Sequence, residues 1–347
     1  MKIISLVMSP VLMTTLLAGC MMEPGEELIE KAAPIAGADA AQTKESEPSA
    51  PAAVDISPAA EALDGRAAVA AEAKALGAIN TASPSLTSSW YSGSVAPGAT
   101  QHWFWNNASL TAAFEVGLSP VGASTTSACQ FEVVRSLDIQ KYGGEREFHF
   151  YIKNTGAIAC GANILLDAKQ RFTSLATGGI EAGASKSFTW NNANPLDAAH
   201  LVGVSPSGAT TLNSCELEVV RSYYAQQPSG EREFRFTIKN AGEIACQGDV
   251  QLALTTSAIS SWATGTISPG AAKSWVWNNA NPLDRVFLPG LSPTGASGSS
   301  VCQLEVTQTY YRQVINTDGS AERKFYLTIK NPGSLSCGGT LLLNSID

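Results

Sequence analysis

The chain has 347 residues, a formal net charge of −8 and only 15% charged residues. That length allows two or three domains, and the sparse, acidic charge excludes a basic nucleic-acid footprint, so no nucleic-acid partner is expected. Seven cysteines, an odd number, call for one cysteine with a separate fate. At the start of the chain, residues 1–19 read as an export signal: Lys2, an apolar run from Ile3 to Leu17, then small residues. The run is too short to span a bilayer comfortably.

The signal ends in "LLAGC", Leu16 to Cys20. The segment Leu17–Cys20 resembles the lipobox of bacterial lipoproteins. The resemblance implies that the thiol of Cys20 receives a diacylglyceryl group, that cleavage falls before it, and that the new amino terminus is acylated. It implies a lipid anchor in the cell envelope: the outer membrane in a Gram-negative cell, where Met21 is not a retention signal, and otherwise the outer face of the plasma membrane. Each acyl CH₂ buried in a bilayer contributes about 0.8 kcal/mol, so several chains anchor stably. An ordinary signal peptide followed by an incidental cysteine is the alternative.

Residues 20–85 form a tether rich in Ala, Pro and Glu. The stretch up to Pro58 has no aromatic residue and buries too little apolar surface to order itself. A helix over 58–76 is predicted inside it: Ser57 caps, Pro58 fits the first turn and Gly77 stops it. As a flexible chain the tether reaches on the order of 45 Å.

From Leu86 onward the sequence repeats three times. Trp105, Trp190 and Trp277 stand 85 and 87 residues apart; Cys129, Cys215 and Cys302 stand 86 and 87 apart; Cys160, Cys246 and Cys337 stand 86 and 91 apart. Each copy carries Trp-Asn-Asn and then Ser-Pro-x-Gly-Ala. The copies divide as 86–168, 169–255 and 256–347. Short linkers near Ala168-Lys169 and Thr255-Thr256 suggest a semi-rigid rod of separate domains. In the middle copy "REFRFTIKN" alternates strictly, Phe234, Phe236 and Ile238 inward and Glu233, Arg235, Thr237 and Lys239 outward, while "CQGDVQLAL" puts Cys246, Val250, Leu252 and Leu254 on one face. Such patterns, broken by Gly, Pro, Asn and Ser, describe antiparallel sheets with one wet face. Six or seven strands per copy point to an all-β fold of three tandem antiparallel β-sandwiches.

In a flat meander the two cysteines of a copy would lie roughly 9 to 10 Å apart, beyond the reach of a disulfide. Either the two strands lie on opposite sheets or the cysteines sit in end loops; a bond across the sandwich is the simpler answer, and it pairs Cys129–Cys160, Cys215–Cys246 and Cys302–Cys337 and leaves Cys20 for lipid. These bonds require an oxidising compartment. Over residues 86–347 the pattern resembles the immunoglobulin-like and fibronectin-type modules of bacterial surface proteins. The Trp precedes both cysteines, unlike the antibody order, and no functional residue is carried over.

No catalytic constellation stands out. His102, His149 and His200 align with Ser187 and Ser274, Arg235 and Tyr326, and Phe114 and Phe287, so none recurs. Metal and His-based nucleophile spacings are absent, and no cofactor is expected. The repeated polar residues have a structural reading, as turn caps and ladder pairs: Glu132, Glu218 and Glu305; Glu145-Arg146, Glu231-Arg232 and Glu322-Arg323; Lys153-Asn154, Lys239-Asn240 and Lys330-Asn331. A second reading is sugar binding by Trp105, Asn106, Asn107, Trp190, Asn191, Asn192, Trp277, Asn278 and Asn279. The Trp faces would stack on sugar rings, as would Tyr223-Tyr224 and Tyr310-Tyr311, where the first copy has Leu137-Asp138, with avidity from three copies. The expectation is a non-enzymatic, lipid-anchored envelope protein that presents its three modules for adhesion, partner binding or envelope scaffolding, meeting the membrane through Cys20 and an unknown protein or glycan through its repeats.

Overall fold

The computed structural model describes residues 54–55, 88–106, 108–191, 193, 198–256, 258–278, 280 and 285–346. The export signal, Cys20, the 58–76 helix, Asn107, Asn192 and Asn279 lie outside the described residues. Those residues are all-β, with no helix among them.

A two-residue strand, β1 (Val54–Asp55), pairs in parallel with a strand of the third repeat. Six strands then recur in each repeat. The first holds β2 (Ser88–Tyr91), β3 (Thr100–Asn106), β4 (Ala112–Val121), β5 (Cys129–Gln140), β6 (Arg146–Asn154) and β7 (Gly161–Gln170). The second holds β8 (Thr173–Ala176), β9 (Ser185–Trp190), β10 (Ala199–Ser207), β11 (Cys215–Gln226), β12 (Arg232–Asn240) and β13 (Gln247–Thr255). The third holds β14 (Ala258–Ala263), β15 (Ala272–Trp277), β16 (Val286–Thr294), β17 (Cys302–Ile315), β18 (Ala321–Lys330) and β19 (Gly338–Ile346). The division drawn after Ala168 falls inside β7, which keeps its ladder with β4 as far as Gln170 opposite Ala112.

Within a repeat the strands form two layers. The inner layers are three-stranded sheets, β2-β7-β4, β8-β13-β10 and β14-β19-β16. The outer layers, β3-β6-β5, β9-β12-β11 and β15-β18-β17, belong to one larger sheet. The alternation expected of β12 holds for Phe234, Phe236 and Ile238, which are buried, and for Lys239, which is exposed; Glu233, expected to face outward, is buried instead, with Gln227 and Arg235 donating to its carboxylate.

The rod of separate domains is replaced by a closed ring. The end of β5 pairs with the start of β11 (Asp138 opposite Leu217), the end of β11 with the start of β17 (Gln226 opposite Cys302), and the end of β17 with the start of β5 (Gln313 opposite Cys129). Each of these long strands also pairs with its own hairpin partner, and each carries an irregularity in the same place, between Val133 and Arg135, Val219 and Arg221, and Val306 and Gln308. A bulge bends a strand and raises its twist. Here it lets one strand serve two neighbours around an approximate three-fold axis.

The expectation of one wet face fails for the inner sheets. Along β4, β10 and β16 nearly every residue is buried. One face packs in its own repeat. The other meets the neighbouring repeats in a second apolar cluster of Ala113, Leu165, Ala199, Leu201, Ala253, Val286, Leu288 and Ile346. Backbones come close here. A Cβ on Gly203 would lie 2.8 Å from the Cα of Ala113, and one on Gly290 would lie 2.9 Å from the Cβ of Ala199.

Candidate functional site

The three disulfides join the two layers of each repeat as the spacing predicts, with Cα–Cα distances of 6.0 Å for Cys129–Cys160, 5.6 Å for Cys215–Cys246 and 5.7 Å for Cys302–Cys337. The repeated tryptophans face inward and pack on the core. Trp105 tilts onto Trp90 at 5.7 Å between centroids, Trp190 meets the edge of Phe172 at 5.3 Å, and Trp277 meets Trp262 at 5.6 Å. A face already covered by another ring is not free to stack on a sugar. Asn106 and Asn191 are exposed beside them and Asn278 is half-buried.

Most repeated polar residues are explained by local turns and by ring closure. Asn154 donates through Nδ2 to the carbonyls of Val95 and Ile158 and accepts from Gly156 N; Asn240 and Asn331 repeat this with their own turns. The Ser-Pro-x-Gly-Ala segment is where each repeat is gripped by the one before it. Gln313 accepts from the amides of Gly122 and Ala123, Gln140 from those of Gly208 and Ala209, and Gln226 from Ala296. These glycines have φ near +110° to +117°, a conformation that glycine adopts without strain. Arg323 and Arg232 donate to the carbonyls of Pro120 and Pro293 of the next repeat. Arg135 pairs with Glu218 at 2.9 Å and Arg221 with Glu305 at 2.6 Å, both across repeat junctions. At the third junction Gln308 takes the arginine position and donates to Glu132 at 3.2 Å, so Glu132 has a neutral partner there.

Two places break the symmetry. The first is the outer face of the first repeat. His102 Nε2 and His149 Nδ1 lie 2.8 Å apart, His149 Nε2 is 2.9 Å from Glu147, and Lys141 contacts the same carboxylate. Burial and then the neighbouring His149 hold the His102 pKa below its ordinary value. Although burial opposes it, the bonds from Lys141 and His149 hold Glu147 below the usual carboxylate range. Among the described residues no group of three or more His, Cys, Asp or Glu has metal-binding geometry.

The second place is a cavity of about 590 Å³ on the approximate axis, lined by all three repeats. Val133, Val219 and Val306, one from each long strand, form part of its wall, and Glu132, Thr307 and Gln308 lie beside them. Deeper in are Glu115, Asp138 and His200. Glu115 is enclosed on its protein side and keeps accessible surface where it lines the cavity; burial pushes its carboxyl up to about 7 against a bond from Val116 N. Burial likewise pushes Asp138 up to about 7, although Asp138 accepts from Val204 N of the second repeat at 3.2 Å. His200 is 7% exposed, stacks on Phe234 at 5.0 Å between centroids, and is held neutral by burial with a pKa near 4. Its Nδ1 has no protein partner.

Sequence reasoning did not name Glu115, Asp138 or His200 as a site. The signal was the departure of one repeat from the other two. Glu115 stands where the others have Leu201 and Leu288, Asp138 where they have Tyr224 and Tyr311, and His200 where they have Phe114 and Phe287. No protein-family model matches this sequence, and no curated protein or solved structure shows significant similarity to it.

Proposed function

We propose that the chain is a non-enzymatic, lipid-anchored protein of the cell envelope that captures a ligand in the axial cavity of its three-repeat body. Each repeat is read as an immunoglobulin-like β-sandwich, with three strands in each of two disulfide-linked layers. The observation that carries the reading is the cavity: its walls come from all three repeats, its volume suits a small molecule, and the residues that break the repeat pattern meet inside it. The Leu17–Cys20 signal and the paired cysteines support an exported, oxidising setting.

Two measurements test it. Non-reducing peptide mapping of protein taken from native membranes should give an acylated Cys20 peptide and three disulfides within repeats; an unmodified Cys20 overturns the anchor. A small-molecule thermal-shift screen on the parent should give hits that disappear in Thr307→Trp, which plugs the cavity from an exposed position on its wall. Hits that persist in the plugged variant, or none at all, overturn the cavity as the ligand site.

A further inference from the structure

We propose that the axial cavity binds a small organic cation, an ammonium compound with an apolar body, through Glu115 and Asp138. The proposal rests on reading the cavity as a binding site and names the class of ligand that it takes. Three carboxyl groups line the cavity, Glu115, Asp138 and Glu132, and no lysine or arginine does. A buried carboxylate is costly unless a cation meets it. Apart from the bond that Asp138 accepts from Val204 N, the fold does not call for these acids. Leucine serves at the Glu115 position in two repeats, and tyrosine serves at the Asp138 position in two. Two acids at positions the other repeats fill with apolar or neutral groups, converging on one cavity, fit a charge that the ligand supplies.

The rest of the lining sets the class. Phe114, Phe148 and Phe234 back the cavity beside the acids as buried rings, so its surround is apolar, which favours an organic cation over a hydrated metal ion. His200 lines the same cavity with a ring that burial holds neutral, so it adds no positive charge against a cation. At the wall Glu132 is bonded to an uncharged Gln308, whereas Glu218 and Glu305 are neutralised by arginines. Glu132 therefore lacks the arginine that its two counterparts have, on a strand residue that lines the cavity.

Calorimetric titration of the folded parent with benzylammonium and with neutral benzyl alcohol, matched in shape, tests the proposal. Benzylammonium should bind at least tenfold more tightly. Glu115→Leu, which copies the other repeats and should therefore fold, and Asp138→Asn should each weaken it at least tenfold while leaving benzyl alcohol unchanged. Equal binding of the two probes overturns the cation class while the cavity remains a binding site. Absence of binding by either overturns both readings. Benzylammonium binding that survives both substitutions places the cation elsewhere and overturns the proposal.

Discussion

Asp138 carries the most direct consequence at the scale of single residues. Its folded-state pKa of about 7 lies above the 3.8 of an unfolded aspartate. Between those values the folded chain holds the proton and the unfolded chain does not, so folding is opposed increasingly as pH rises from about 4 to about 7. Glu115, raised from 4.5 to about 7, acts in the same direction. His200, lowered from 6.5 to about 4, acts in the opposite sense, since stability is lost as pH falls from 6.5 towards 4. Above pH 7 the two acids dominate. Asp138→Asn keeps an oxygen for the Val204 amide and removes the charge. Its stabilisation, read by denaturant unfolding of ligand-free protein, should grow with pH from about 4 and level off above about 7, with a gain at pH 8 roughly 2 to 3 kcal/mol larger than at pH 5. A gain independent of pH would mean that Asp138 is not titrating in that range. This site was half legible. The histidine and the Leu137-Asp138 departure are visible when the copies are aligned, but only the fold shows that Glu115, Asp138 and His200 face one cavity.

At the scale of strands, the outer layers were read correctly because they alternate: one face packs inward and the other meets water, as in β6 and β12. The inner strands were misread for a physical reason. "NILLDA" and "TLLLNSI" are nearly continuous apolar runs, the pattern of a strand covered on both faces. Within a single copy there is nothing to cover the second face; the neighbouring copies do so. The glycines of these strands record that contact. Gly203 and Gly290 face backbone or Cβ atoms of the preceding repeat at under 3.0 Å from a built Cβ, whereas Gly117 faces the Cγ2 of Val286 at 3.2 Å. Gly203→Ala and Gly290→Ala should each destabilise by about 1 to 3 kcal/mol, as overpacking does, and Gly117→Ala by less, because a side-chain methyl can turn aside. Equal effects at all three positions in chemical unfolding would mean that the close approach is not what selects glycine there. The Ser-Pro-x-Gly-Ala segment follows the same logic. Its repetition was plain in the sequence, but the glutamine and arginine that grip it belong to a different copy, about seventy or more residues away.

The whole molecule is shaped by closure. A tandem array of independent modules would leave the ends of β5, β11 and β17 unpaired and one face of every inner sheet exposed. Unpaired strand ends and exposed apolar faces both favour association with other chains. Three copies suffice to cover every such surface, because the third returns to pair with the first through Gln313 and Cys129. The cavity is a product of this closure, since no single repeat contains it. Cooperativity should follow from the same contacts. Roughly 260 residues, from Ser88 to Ile346, at about 0.7 kcal/mol of unfolding enthalpy per residue near 60 °C amount to about 180 kcal/mol. If the ring unfolds as one unit, calorimetry gives a single transition whose van't Hoff enthalpy matches that total. If the repeats unfold separately, the total is unchanged and the van't Hoff enthalpy falls to about 60 kcal/mol, one third as large. A ratio of van't Hoff to calorimetric enthalpy near one is expected for the parent. Gln313→Ala combined with Arg323→Ala, which removes the side-chain bonds from the third repeat to the first and leaves the backbone ladder between them, should lower that ratio before it greatly lowers the total. A parent ratio near one third would show that the contacts around the axis are too weak to couple the repeats, and the axial cavity would then not persist as a preformed site.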